Sequence, residues 1–156
     1  MDAGPTQHGL ESTVVALDQG RIRVLRRGPV TTEKLSEYAE IESNSKSEVI
    51  QSPGQLAIHY APVTPLRIIP RCSDHAFDPN AKVGLLAWDR PPKGHPFAEV
   101  RLLSSAADPV EAAANLFRYM RELDGANLDL IMAEEVPEAG LGAAIMDRLR
   151  RAAARR

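Results

Sequence analysis

Ser12 and Arg26 stand fourteen residues apart, on either side of the turn-forming Asp18-Gln19-Gly20. The flanking runs Ser12 to Leu17 (STVVAL) and Arg21 to Leu25 (RIRVL) are β-branched or alternate charge with aliphatic residues. Paired as a hairpin, they bring the hydroxyl and the guanidinium side by side at its open end. A guanidinium offers a fork of N–H groups that matches phosphate or carboxylate oxygens, and a hydroxyl can bind the same ligand. The alternative for the hydroxyl is merely to cap a turn.

A second candidate is His59-Tyr60. It lies in a stretch where aliphatic and aromatic residues are bracketed by Pro53-Gly54 and Pro62, a pattern foreign to a plain spacer. The pair either stacks on a nucleobase or buries an aromatic ring to anchor the segment. Three further features have plainer readings. Gly140-Leu141-Gly142 could offer N–H groups to an anion, but close packing and a tight turn are the better account of so short a glycine pair. Arg148, Arg150, Arg151, Arg155 and Arg156 read as a solvated helix face suited to the carboxyl end of a helix dipole, with a tRNA-facing patch as the alternative. His8, His59, His75 and His95 form no His-x-x-x-His pair, and Cys72 is the only cysteine, so neither a metal site nor an internal disulfide is expected.

These groups need a scaffold, and the chain changes character along its length. After the hairpin, Thr31 or Thr32 opens a short helix running through Tyr38. Residues 42–52 are polar and start a linker. From Pro65 strands and helices alternate. Leu66–Ile69, Lys82–Trp88, Val100–Leu103 and Leu128–Met132 are the strands, the second apolar enough for burial on both faces. One helix starts at the N-cap Asp108, with Pro109 in its first turn and Glu111 closing a capping box. Its apolar stripe is Val110, Ala113, Leu116, Phe117, Met120 and Leu123. A last helix begins near Leu141, with Leu141, Ile145, Leu149 and Ala152 inside and Arg148, Arg151 and Arg155 outside. This alternation predicts an α/β layer fold with a mainly parallel sheet.

Composition narrows the function. Hydrophobic residues make up 44% and charged residues 26%, the mix of a soluble globular protein. The net charge of −2 disfavours a protein held to nucleic acid by bulk charge. No apolar run approaches the roughly 18 residues of a membrane span, and nothing reads as a signal peptide. A single cysteine fits a reducing cytosol, so the expected location is cytoplasmic.

Several segments, taken in order, resemble one family. Asp2-Ala3-Gly4-Pro5-Thr6, Gly9-Leu10-Glu11-Ser12-Thr13-Val14 and Leu25-Arg26-Arg27-Gly28 are similar to the last part of a YrdC-type catalytic domain. Ser52-Pro53-Gly54-Gln55-Leu56 with His59-Tyr60-Ala61-Pro62 resembles the interdomain linker of its two-domain members. Asn115-Leu116-Phe117, Arg121-Glu122-Leu123-Asp124 and the run from Gly140 to Arg148 (GLGAAIMDR) resemble their C-terminal accessory domain. The family is the YrdC/Sua-type threonylcarbamoyl-AMP synthases. Arg27 stands where many relatives carry proline, and Gln55 where many carry methionine. The Lys/Arg-rich pocket and the Ser-x-Asn segment of the family's catalytic domain have no counterpart here. The chain therefore looks like a C-terminal fragment, one half of a split gene, or the product of a late start codon.

The resemblance implies a division into a remnant of the catalytic domain (1–41), an interdomain linker (42–64) and a Rossmann-like, three-layer accessory domain (65–156). It implies condensation of ATP, L-threonine and bicarbonate to threonylcarbamoyl-AMP and pyrophosphate, with Mg2+ accompanying ATP. The product would feed the machinery that modifies tRNA with threonylcarbamoyladenosine. Ser12 matches a position near L-threonine, Arg26 the arginine on ATP, and one of His59 and Tyr60 a linker residue that closes over the nucleotide. No catalytic or metal-binding residue is implied in this stretch, and the isolated chain is expected to be inactive without an N-terminal YrdC-like part. A reading from another class is a non-catalytic α/β module for regulation or protein contact.

Overall fold

The computed structural model describes residues 9–42, 61–71, 78, 80–90, 94 and 96–154. Its elements run β1 (Val14–Asp18), β2 (Arg21–Arg26), α1 (Thr32–Leu35), β3 (Leu66–Ile69), β4 (Val83–Ala87), β5 (Glu99–Leu102), α2 (Pro109–Asp124), β6 (Leu130–Glu134) and α3 (Leu141–Ala153).

β1 and β2 form the expected antiparallel hairpin. Gln19 and Gly20 both take positive φ, 48° and 78°, the handedness that a two-residue loop between twisted strands demands. Val15 faces Val24 while Val14 faces Arg26, so Leu25 is an extra residue on β2 and makes a bulge. A bulge bends its strand and re-aims the side chains that follow, here Arg26. Ile22 is the one well-buried hydrophobic residue of the hairpin, and residues 40–42 return beside it: Ile22 N–H donates to Glu40 O, and Glu42 N–H to Ile22 O. α1 is a single turn capped by the Thr31 hydroxyl. It ends at Leu35, short of the expected Tyr38, whose ring is 76% exposed and gives a longer helix nothing to bury.

β3, β6, β4 and β5 lie in that order in one parallel sheet. β4 is buried at every position, as its unbroken apolar run requires. β6 runs two residues later than the sequence pattern placed it, because Asp129 is occupied in a reciprocal long-range pairing with Lys82: each backbone N–H reaches the other residue, one on a carboxylate and one on a carbonyl. Leu66, Leu86, Trp88, Ile131 and Ala133 point from the sheet to α2 and α3, which also pack on each other. Val83, Leu85, Ala87 and Met132 point the opposite way. There, Ala81 and Phe97 from connecting segments pack on the sheet, so among the described residues the third layer holds no helix.

α2 starts at Asp108, whose carboxylate accepts from Val110 N–H. The capping box differs from expectation. Ser104 takes the middle place: Asp108 N–H donates to Ser104 Oγ at 2.9 Å, and that hydroxyl donates to Glu111 at 2.5 Å. Ser104 is fully buried, so the relay satisfies a hydroxyl and the helix start together. The buried stripe is Ala112, Ala113, Leu116, Met120 and Leu123; Phe117 is half-buried and Val110 exposed. Gly142 shows why the last helix opens with glycine. A Cβ there would stand 1.8 Å from Pro137 O, so close backbone packing, not anion binding, accounts for the residue.

Candidate functional site

The hairpin brings Ser12 and Arg26 together. Arg26 ends β2, and Ser12 lies two residues before β1, exposed at the open end. Arg26 Nε donates to Ser12 O at 3.0 Å and an Arg26 Nη to Ser12 Oγ at 3.1 Å. Two bonds from one guanidinium edge to one residue fix the plane of the fork. Thr13 continues the same edge: its hydroxyl donates to Val30 O at 2.8 Å and accepts from Val30 N–H at 3.0 Å, tying the chain after β2 back to the start of β1. Gly28 seals this closure, since a Cβ on it would meet Glu11 O and Thr13 N at 2.4 Å. The result is a half-buried cation with an adjacent hydroxyl, presented on a short rigid rim. Such an arrangement suits a ligand rich in anionic oxygen. His59 and Tyr60 lie outside the described residues, as do His8, His75, His95 and Cys72.

The chain just before β3 is fastened. Asp124, the last residue of α2, accepts from Val63 N–H at 3.1 Å and Thr64 N–H at 2.8 Å, one on each carboxylate oxygen. Two backbone donors thus converge on the helix's closing residue just before β3.

The sequence reading misplaced Arg148. Expected on a solvated face, it is fully buried. Its Nε and one Nη donate to Glu11 Oε2 at 3.2 and 2.9 Å, the same Nη donates to Arg27 O at 3.0 Å, and the other to Asp147 at 2.6 Å. The physical reason is that α3 packs on two partners. Its aliphatic face meets the sheet and α2, while Gly140, Ala143 and Ala144 line a crevice against Val24, Gly28, Val30 and Thr31 of the N-terminal arm. The spacing held the clue: Arg148 lies three residues after Ile145 and four before Ala152, on the apolar stripe itself.

Of the other arginines in that run, Arg150 is exposed as expected and Arg151 is half-buried. Arg151 pairs with Asp147 at 3.0 Å and Arg150 with Glu138 across the start of α3; Arg155 and Arg156 lie outside the described residues. Hydrogen bonding to Arg150 holds the Glu138 carboxyl below the usual range. Glu33 is held low as well, chiefly by its own backbone N–H and then by the Thr31 hydroxyl, with Gly140 N–H adding a 3.4 Å bond from α3.

A third polar group, unmarked in the sequence, sits at the carboxyl ends of the parallel strands. Arg71 pairs with buried Asp89, and Trp88 N–H donates to buried Glu134 at 2.8 Å. Among the described residues, Asp89 Oδ1 is the buried side-chain oxygen left without a hydrogen bond.

An N-terminal hairpin packed on a parallel α/β unit is the class of protein these features define, and comparison with known proteins makes it particular. Residues 30–154 match the family described as threonylcarbamoyl-AMP synthase, C-terminal domain. The threonylcarbamoyl-AMP synthase of Bacillus subtilis is 31% identical over 165 residues, covering 98% of this chain and 48% of that protein. The synthase of Pyrococcus abyssi is 32% identical over 166 residues, covering 97% and 48%. The crystal structure of P. abyssi Sua5 complexed with L-threonine superposes with a TM-score of 0.76 at 29% identity, over 97% of this chain and 48% of that one. A variant of P. abyssi Sua5 in which a histidine and the tyrosine after it are both alanine superposes at 0.75, with 27% identity over 97% of this chain and 47% of that one. The chain belongs to the threonylcarbamoyl-AMP synthase family and corresponds to its C-terminal domain region. It spans about half the length of the curated relatives it matches.

Proposed function

We propose that this chain is part of an L-threonylcarbamoyladenylate synthase, acting in the cytoplasm in the pathway to threonylcarbamoyladenosine in tRNA. The reaction joins L-threonine, bicarbonate and ATP, releasing pyrophosphate. In this reading residues 1–41 belong to the catalytic domain, 42–64 to the linker and 65–156 to the accessory domain. The carrying observation is the Ser12–Arg26 pair, a positioned guanidinium and hydroxyl on one rim, in a chain of this family. Transfer at a phosphate depends on positioning and on stabilising spread negative charge. Arg26 supplies one cation toward the phosphates of ATP, and Ser12 orients a polar group of L-threonine. One of His59 and Tyr60 closes over the nucleotide; the solved relative altered at an adjacent histidine and tyrosine supports attention to this pair. Among the described residues no group of three or more His, Cys, Asp or Glu side chains could hold a metal ion. Glu11, the carboxylate nearest in sequence to Ser12, is engaged by Arg148. Mg2+ would accompany ATP and share the charge of its phosphates.

One titration series tests the reading. Calorimetry with ATP is expected to show affinity falling about tenfold or more for Arg26→Ala, the loss of a charge-assisted contact. Unchanged affinity removes the assignment. In the same series the 156-residue chain alone releases no pyrophosphate from ATP, L-threonine and bicarbonate; robust turnover contradicts the view that the other wall of the site is required. A regulatory or protein-contact module is the second reading, favoured by the sheet-and-helix core, which is made almost wholly by residues after Pro65.

A further inference from the structure

We propose that Arg148 is a positioning residue, through which the C-terminal α/β unit sets the geometry of the Ser12–Arg26 pair. The inference rests on the functional reading above only for the use to which that pair is put. Its structural basis is a coincidence of neighbours. Arg148 bonds Glu11, the residue before Ser12, and the carbonyl of Arg27, the residue after Arg26. A single buried guanidinium thus grips the chain on both sides of the hairpin's open end, one residue away from each member of the pair.

The physical cost of this arrangement argues that it fixes geometry. A guanidinium with no exposed surface has lost its hydration, and only a complete set of acceptors offsets that loss. The planar fork meets its acceptors in fixed directions, which a flexible ammonium does not. Glu11 cannot rotate away without leaving the buried charge short of an acceptor, and its backbone carries Ser12. Arg27 O is held in the same way, and its backbone carries Arg26. Asp147 extends the grip, since it accepts from Arg148 and also from Arg151 at 3.1 and 3.0 Å. The whole clamp therefore grows from one turn of α3. Across 137 residues of chain, helix and rim are joined through side chains rather than through the peptide backbone. Glu33 to Gly140 N–H makes a second, weaker fastening between the same two regions.

The test reads the pair directly. In the 15N–1H spectrum of the chain, the Arg26 Nε–H signal reports its bond to Ser12 O. Arg148→Met, which keeps an unbranched apolar stem and removes the guanidinium donors, is expected to shift that signal and speed its solvent exchange by about tenfold or more. Amides of β4 and α2 keep their protection. Arg148→Lys restores less than half of the change, because one ammonium cannot make the fork, and ATP affinity falls in step with the signal. An unmoved Arg26 signal in folded Arg148→Met protein overturns the proposal. So does an equal loss of protection in β4 and α2, the mark of general destabilisation. Should Arg148→Met fail to fold, Glu11→Gln carries the test from the half-buried side of the clamp: a shifted Arg26 signal supports it and an unmoved one refutes it. If Arg26 responds to both substitutions while the unaltered chain shows no affinity for ATP, the clamp stands and the nucleotide reading falls.

Discussion

The hairpin arm and the α/β unit are stabilised by different physics. In the unit, β4 is buried at all five positions, and Leu86, Leu103, Leu116, Leu123, Ile131, Ile145 and Leu149 have no exposed surface. Each such aliphatic side chain contributes roughly 1.5–3 kcal/mol by leaving water. The arm has a single well-buried hydrophobic residue, Ile22, and leaves Leu17 77% exposed. A two-stranded hairpin of that kind is marginal by itself. It is ordered by polar fastenings and close backbone approaches. Arg148 grips it from α3, Thr13 closes on Val30, and Gly9 runs so near α2 that a Cβ would lie 2.5 Å from Ala113 O. Burial builds the unit; directional bonds place the arm. A region held by directional bonds can be set accurately while contributing little to total stability, which suits a rim that presents a cation.

The sharpest way to break this contrast is in the core. Leu86→Ala is expected to cost about 2–5 kcal/mol in urea unfolding, whereas Leu17→Ala in the arm should cost less than about 0.5 kcal/mol. Similar values for the two would show that the arm shares the core's burial. Gly28→Ala comes next and separates the regions. Its Cβ collides with the backbone of Glu11 and Thr13, which cannot yield as a side chain can, so a local loss of about 2 kcal/mol is expected. Hydrogen exchange should quicken at Ile22 and Glu42 amides and stay slow in α2; uniform quickening would merge the arm with the core.

Acid gives the smallest effect. The Glu33 and Glu138 carboxyls are held below their usual range, so each binds its proton less readily folded than unfolded. Their contribution is present above the ordinary carboxylate range and is lost as pH falls through the folded values. Thermal melts should drop slightly below about pH 4, and Glu138→Gln should flatten part of that fall. Because Glu138 and Arg150 are each about half exposed, the pair is worth less than about 1 kcal/mol. A larger drop that survives Glu138→Gln would place the sensitivity elsewhere.

The sequence revealed what depends on local pattern. The hairpin and its turn, the four parallel strands, Asp108 as a cap and the nearness of Ser12 to Arg26 all follow from alternation, spacing and turn chemistry. What it hid depends on partners far along the chain. Arg148 looked solvated because an arginine in isolation prefers water; only the arm packed on the second side of α3 makes burial its better state. Ser104 displaced the expected capping box because a hydroxyl brought in from the end of β5 reached the helix start first. Asp89 and Glu134 read as ordinary carboxylates at strand ends, and their burial depends on what covers the carboxyl ends of the inner strands β4 and β6. The roles proposed for Ser12 and Arg26 toward ligands come from resemblance, since spacing gives proximity and not purpose.

The stretch from 43 to 60 departs from one anchored point and returns to another: Glu42 is hydrogen-bonded to β2, and Val63 and Thr64 are hydrogen-bonded to the end of α2. Fixed flanks lower the entropic cost of closing the chain between them. A group carried between two such anchors acts as an attached reagent, at an effective concentration of about millimolar or above. A weak contact made by such a reagent counts for far more than the same contact from a diffusing peptide. Releasing Val63 and Thr64 by Asp124→Ala should therefore lower that advantage without touching the Ser12–Arg26 pair.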